Sequence, residues 1–91
     1  MLVALTAACI AHVAAFYEEP VTALNALLRI EGGQVGTVSR NANGTADLGP
    51  YQVNTSWVPV FAKAWHRAPD ETYYLIRDHG CANALAAGSV L

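Results

Sequence analysis

The chain has 91 residues, of which 54% are hydrophobic and 13% charged, with a formal net charge of -2 at pH 7. This length limits it to one domain with a small core. The composition excludes the basic surface of a nucleic-acid-binding protein and the charge excess of a disordered chain, so we predict a single domain over residues 1–91.

The chain opens with an apolar run, MLVALTAACIAHVAAFY, that has no formally charged side chain. The run is at the short limit for crossing a bilayer, contains His12, and lacks the positive residues that precede the core of a signal peptide. A buried helix is the better interpretation of such a run. We therefore predict a helix over residues 3–17 and no stable membrane span.

A second helix is predicted in PVTALNALLRIEGG, with Pro20 in its first turn. Leu24, Leu27, Leu28 and Glu31 recur at three- and four-residue steps, which places them on one stripe. Glu31 is therefore expected to face the core, just before two glycines end the helix. A carboxyl packed against leucines loses solvation of its charged form, which favours the protonated form that a general acid needs. The alternative is a solvated surface glutamate.

Residues 34–50 are rich in turn formers, and NANGTADLGP contains an Asn-Gly pair that is typical of a hairpin. A short extended piece, YQVN, follows. Its amides lie beside the aromatic Tyr51 and Trp57, and such side chains hydrogen-bond to and stack on sugars. Each polar residue also has a structural interpretation, because Asn, Asp and Gln build turns and satisfy loop backbone.

Three more helices are predicted in the rest of the chain. Thr55 or Ser56 can cap a helix over WVPVFAKAW. The next, PDETYYLIRD, begins at Pro69 with acids at its positive end, and the last, CANALAAGSVL, begins near Gly80. Together these elements predict a mainly α, α+β fold.

Cys9 and Cys81 lie near opposite ends of the chain. Zinc sites favour close Cys or His pairs, and the three histidines form no such pattern with the cysteines, so no metal site or cofactor is predicted. Spacing alone leaves two buried thiols and one disulfide equally open. A bridge over so long a loop would contribute about 4 kcal/mol to stability in the chain-entropy model.

Three segments in order, LLRIEGG, VSRNANGTADLGPYQVNTSW and GCANALAAGSVL, resemble the lysozyme-like lytic transglycosylases (SLT domains). The likeness is to the small envelope enzymes that accompany conjugation, pilus and specialised secretion systems. Their pattern is a helix-terminal Glu, a loop with Ser and Asn-Gly, then Gly-x-x-Gln-x-Asn, then Cys-x-Asn opening a later helix. The resemblance spans nearly the whole chain and implies a lysozyme-like fold, with helices around a cleft that holds a short irregular β segment.

The resemblance assigns roles to individual residues. Glu31 matches the catalytic acid/base, Ser39 a serine near the reacting sugar, and Gln52 the glutamine that contacts substrate. Tyr51 and Asn54 are further candidate substrate-binding residues, because they belong to the amides and aromatics beside Gln52 that suit a sugar. The implied reaction cleaves the β-1,4 bond between N-acetylmuramic acid and N-acetylglucosamine in peptidoglycan, with a 1,6-anhydro product. The implied partners are glycan strands and components of an envelope-spanning secretion or conjugation apparatus.

The cysteines sit where the small enzymes of this group have a disulfide, so the resemblance favours a bridge and an oxidising compartment, periplasmic or secreted. The chain also departs from the family. Gly32 replaces the usual serine after the catalytic Glu, and Pro50-Tyr51 replaces Leu-Met before the glutamine. The chain ends before the family's closing helices, which supply an active-site tyrosine. We therefore expect an incomplete domain with weak or no activity.

Two other functions stay open. Asp47 could be the second carboxylate of a hydrolytic lysozyme, although its TADLG setting favours a turn role. The second alternative, from a different class, is a non-catalytic peptidoglycan-binding or assembly module.

Overall fold

A computed structural model describes residues 1–91 as five α-helices and a three-stranded sheet. The helices are α1 (Ala7–Phe16), α2 (Val21–Glu31), α3 (Val58–Trp65), α4 (Pro69–Asp78) and α5 (Gly80–Ser89), and the strands are β1 (Val38–Arg40), β2 (Ala46–Leu48) and β3 (Val53–Asn54). A 3-10 helix, Thr55–Trp57, joins β3 to α3. The predicted mainly α, α+β class is therefore confirmed.

The first helix is shorter than predicted, because residues before it are extended and pair with the start of α5. Val3 forms a parallel bridge with His79, and the Gly80 N–H donates to the Val3 carbonyl at 2.8 Å. Neither α1 nor any other helix of the chain has the length and apolar character that crossing a membrane requires.

The starts of α2 and α3 also differ from the sequence predictions. Pro20 is the N-cap of α2 and not part of its first turn. Neither Thr55 nor Ser56 caps α3: the Thr55 hydroxyl instead accepts from the Ala46 N–H at 3.1 Å, which ties it to β2. The cap at this point belongs to Asn54, whose Oδ1 accepts from the Ser56 N–H at 3.0 Å and so begins the 3-10 helix.

The sheet is antiparallel, with β2 between β1 and β3. The predicted hairpin is present: the Asn41 N–H donates to the Thr45 carbonyl at 2.9 Å across the turn that contains Asn-Gly. Ala46 and Leu48 are buried, whereas the residue between them points to the opposite face. One face of the sheet is therefore apolar and covers the core, and the other is polar.

The last helix, α5, packs against α1, α4 and β3 and occupies the centre of the fold. Its sequence, GCANALAAGS, contains no charged residue, and a helix that is apolar on all sides is typically buried. Small residues allow close approach: a Cβ on Gly88 would lie 2.8 Å from the Tyr17 ring. Cys9 and Cys81 form a disulfide across a sequence separation of 72, which links α1 to the first turn of α5 and confirms the bridge that the resemblance favoured.

Asn83 connects α5 to three other parts of the chain through its side-chain amide. It is fully buried. Its Oδ1 accepts from the Tyr51 N–H at 2.8 Å, and its Nδ2 donates to the carbonyls of Leu48 and Ile76 at 2.8 and 2.9 Å. The end of β2, the turn after it and the end of α4 are thus held to one side chain.

We predict that Asn83→Ala lowers the free energy of unfolding by about 3 kcal/mol or more, because three buried backbone groups lose their partners at about 1–3 kcal/mol each. Urea denaturation of the oxidised chain measures this. The control is Asn25→Ala, an exposed position in α2, where we expect a change of about 0.5 kcal/mol or less. Equal stability of the two variants would contradict the role given to Asn83.

Candidate functional site

A cavity of about 290 Å³ lies beside the C-terminal end of α2, and we call it the Glu31 cavity. Its polar lining comes from Glu31, Gln52 and Asn54. The rest of the lining is apolar or aromatic and consists of Leu27, Tyr51, Val53, Trp57, Ala87, Val90 and Leu91. Of the residues that the sequence analysis predicts for catalysis or substrate binding, all but Ser39 therefore line one cavity.

Glu31 is the last residue of α2, and its side chain is exposed. The predicted burial is wrong for a geometric reason: Leu24 is fully buried, Leu27 and Leu28 are half-buried, and the stripe leaves the core as it nears the end of the helix. Gly32, with φ of 63°, then ends the helix in the left-handed region. The carboxyl group is consequently open to a ligand, and only a bound ligand would remove water from it.

The end of α2 is held against the turn of residues 49–52. The Gly33 N–H donates to the Pro50 carbonyl at 3.1 Å. A Cβ on Gly33 would overlap the Gly49 carbonyl oxygen and lie 2.6 Å from Gln52 Nε2, so no larger residue fits without moving the turn. This contact sets the position of Gln52 relative to Glu31.

Gln52 has a φ of 53°, in the left-handed region that residues with a side chain rarely adopt. The other two such residues, Glu18 and His66, closely follow the ends of helices, where this conformation is common. Gln52 instead lies in the wall of the Glu31 cavity. Its Nε2 donates to the Gly49 carbonyl at 2.9 Å, which leaves the amide oxygen for a ligand.

Ser39 does not line the Glu31 cavity, but it is connected to it across the sheet. It is paired with Asp47, and Asp47 is paired with Asn54, so the three side chains form one row on the polar face. Asn54 Nδ2 donates to Asp47 Oδ1 at 3.0 Å and to the Thr45 hydroxyl at 3.1 Å. The row, which we call the polar row, ends at the cavity with Asn54.

The two aromatic residues of the cavity differ in exposure. Tyr51 is only 3% exposed, so its ring is part of the core and not an open stacking surface. Burial raises the pKa of the Tyr51 hydroxyl. Trp57 is 40% exposed, and its ring centroid lies 6.0 Å from that of the buried Phe61. Of the two aromatic rings, only the indole therefore offers an open surface to a ligand, whereas the sequence offers Tyr51 and Trp57 alike.

A larger depression of about 600 Å³ also borders the end of α2. Its lining contains no acidic or basic side chain and consists of Leu2, Ala4, Leu5, Leu28, Gly32, Gly33, Gln34, Val35 and Pro50. This depression therefore lacks a side chain for acid–base chemistry, whereas the Glu31 cavity has one and also contains the other predicted site residues.

In comparisons with known proteins, the chain matches no protein-family model and no curated protein sequence. Its function is therefore inferred from the geometry of the site and from the sequence pattern described above.

We predict that Gly33→Ala displaces the 49–52 turn, because its Cβ would overlap the Gly49 carbonyl oxygen. Hydrogen exchange should show lost protection of the amides at positions 33 and 52, whose acceptors are Pro50 and Gly49. Gly44→Ala is the control, since a Cβ there would have no atom within 4 Å and the left-handed φ of 87° adds only local strain of about 1–2 kcal/mol. Unchanged protection at both amides in Gly33→Ala would contradict the contact between α2 and the turn.

Proposed function

We propose that the chain is a peptidoglycan lytic transglycosylase domain, which cleaves the β-1,4 bond between N-acetylmuramic acid and N-acetylglucosamine and forms 1,6-anhydro-N-acetylmuramic acid. The observation that carries the proposal is the Glu31 cavity, where one accessible carboxyl lies with the amides of Gln52 and Asn54 and a half-exposed indole. The resemblance of three sequence segments to lysozyme-like transglycosylases supports the same assignment.

In the proposed reaction Glu31 acts first as an acid. It gives its proton to the glycosidic oxygen as the bond from that oxygen to the anomeric carbon breaks, and N-acetylglucosamine leaves with a free hydroxyl. The Glu31 carboxylate then takes the proton of the muramic acid C6 hydroxyl, whose oxygen bonds to the anomeric carbon. No water is consumed, and Glu31 ends in its starting protonation state. The substrate's acetamido group can stabilise the cationic centre, as in substrate-assisted glycosidases.

The other cavity residues would bind and orient the glycan. The free amide oxygen of Gln52 can accept a hydrogen bond from a sugar hydroxyl. Trp57 offers an aromatic face to a sugar ring, held in place by Phe61. The exposed Ser39, at the far end of the polar row, would contact a sugar unit further along the strand. A ligand that covers the cavity would also exclude water from Glu31, which the free protein does not do.

Asp47 is less suited to be a second catalytic carboxylate. A hydrolytic glycosidase places two carboxyl groups on either side of the scissile bond. Asp47 does not line the Glu31 cavity, and its Oδ1 is engaged by the Asn54 amide at 3.0 Å. This hydrogen bond favours a role in holding the polar row and so favours transglycosylation over hydrolysis. A hydrolytic lysozyme and a non-catalytic peptidoglycan-binding module are the alternative outcomes of the experiments below.

The disulfide fits an oxidising compartment, and we place the proposed activity in the periplasm or outside the cell. There the substrate would be the glycan strands of the wall, and the partners would be components of a conjugation or secretion apparatus that needs a local opening in it.

We predict that Glu31→Gln reduces release of 1,6-anhydro products from purified peptidoglycan by at least about 10²- to 10⁴-fold, the usual contribution of a general acid–base group. Glutamine keeps the shape but can neither donate nor accept the catalytic proton, so binding to insoluble peptidoglycan should persist. Mass spectrometry measures the products, because anhydro ends are one water lighter than hydrolysed ends. Glu71→Gln, an exposed acid outside the Glu31 cavity, is the matched control.

Other results of the peptidoglycan digestion would contradict the proposal and favour a different function or site. Reducing ends in place of anhydro ends would indicate a lysozyme. Binding without turnover by the parent chain, and also by a version extended with the closing helices that the resemblance implies, would indicate a wall-binding module. If Glu31→Gln released anhydro products at the parent rate, the catalytic group would have to be another residue.

We predict that Asp47→Asn keeps a substantial part of the activity, since the proposed reaction needs no second carboxylate and the amide oxygen of asparagine can still accept from Asn54. Product release measured beside that of Glu31→Gln tests this. A loss as deep as that of Glu31→Gln, with the fold intact by circular dichroism, would favour the hydrolytic alternative.

A further inference from the structure

The hydroxyl of Tyr51 is buried and has no hydrogen-bond partner within the chain. A buried polar group in this state is costly, and it usually signals an ordered water or a ligand as the missing partner. Tyr51 also lines the Glu31 cavity, so the unpartnered hydroxyl belongs to a residue of the candidate site.

The position of Tyr51 is fixed by its backbone and by its neighbours. Its N–H donates to the buried Asn83 at 2.8 Å, and the adjacent Pro50 carbonyl accepts from the Gly33 N–H at 3.1 Å. The ring is 3% exposed and packs in the core. A side chain held in this way cannot easily turn its hydroxyl to solvent. A hydrogen-bond partner from outside the chain therefore has to reach the hydroxyl where it lies.

We propose that the Tyr51 hydroxyl donates a hydrogen bond to the acetamido carbonyl of an N-acetylhexosamine bound in the Glu31 cavity, and so selects N-acetylated sugars. This inference rests on the proposed function, because it takes the Glu31 cavity to be a glycan site. Tyr51 is then a specificity-determining residue that acts by direct contact with substrate.

The chemistry of the cavity fits an acetamido group. Such a group combines a methyl, which needs apolar surroundings, with a carbonyl, which needs a donor. Leu27, Val53 and Ala87 supply the apolar lining, and Tyr51 supplies a donor that no protein group uses. Burial raises the pKa of this hydroxyl, which keeps it protonated and able to donate.

For the acetamido group to enter the cavity, side chains at its rim have to move aside. Val90 and Leu91 line the cavity and are 46% and 56% exposed. They follow the end of α5 and bury little surface, so their displacement disturbs the core least. The acetamido group would therefore reach Tyr51 past these two residues.

The test compares two tetrasaccharides that differ at C2, tetra-N-acetylchitotetraose and cellotetraose, which has a hydroxyl in place of each acetamido group. Dissociation constants are measured by calorimetry for the parent chain, Tyr51→Phe and the control Tyr74→Phe, which lies outside the cavity and is 54% exposed. We expect Tyr51→Phe to weaken binding of the N-acetylated sugar about 3- to 10-fold and to leave that of cellotetraose unchanged. Tyr74→Phe should change neither.

A stability measurement separates binding from folding. Because Tyr51→Phe removes only an unpartnered buried hydroxyl, its urea midpoint should equal or exceed that of the parent chain. A lower midpoint would show that the hydroxyl already has a partner in the free protein and would overturn the inference. Equal weakening of both sugars, or weakening of neither, would overturn it as well.

The inference and the proposed function fail in different ways. N-acetyl selectivity that depends on Tyr51, without release of anhydro products by the parent chain or by a version extended with the closing helices, would keep the inference and reject the enzyme. If the parent chain releases anhydro products and Tyr51→Phe has the same N-acetyl selectivity as the parent, the enzyme is kept and the inference is rejected. A parent chain that binds neither tetrasaccharide and has no turnover would overturn both.

Discussion

The buried amide of Asn83 is the interaction on which the geometry of the rest depends. Its three hydrogen bonds join the end of β2, the backbone of Tyr51 and the end of α4 to the central helix. Tyr51 lies in the turn that packs on Gly33. The hydrogen bond from Tyr51 to Asn83 therefore also helps to position the end of α2, where the accessible carboxyl of Glu31 lies. The disulfide enters the same helix two residues earlier, at Cys81. One turn of α5 therefore carries both the covalent link to α1 and the polar link to the candidate site.

The parts of the fold that the sequence predicts well are those with local causes. Helix α4 begins at Pro69, as its proline and acidic first turn indicate, and the Asn-Gly pair marks the hairpin between β1 and β2. The resemblance implies that Glu31 and Gln52 belong to one site, and both line the same cavity. Spacing alone leaves the disulfide open, and only the resemblance favours it.

The errors concern properties that depend on tertiary packing. A stripe of leucines predicts which face of α2 is apolar. It does not predict that the helix extends beyond the core before it reaches Glu31. The sequence offers Tyr51 as a ring for sugar stacking, yet its side chain is buried. It does not predict the role of Asn83, although a signal exists: an asparagine within a helix of alanines and glycines has no exposed face to occupy. A hydroxyl before a helix is usually a cap, whereas Thr55 accepts from β2 across the sheet.

The two edges of the small sheet bear on how this protein behaves at high concentration. Unpaired edge strands can recruit strands from another chain, and natural sheets limit this with short edges and charged residues. Here β1 is three residues long and ends in the exposed Arg40, while β3 has two residues and runs straight into the 3-10 helix. Neither edge offers the length that intermolecular pairing needs. The polar face can therefore stay uncovered without a long sheet edge beside it that could pair with another chain.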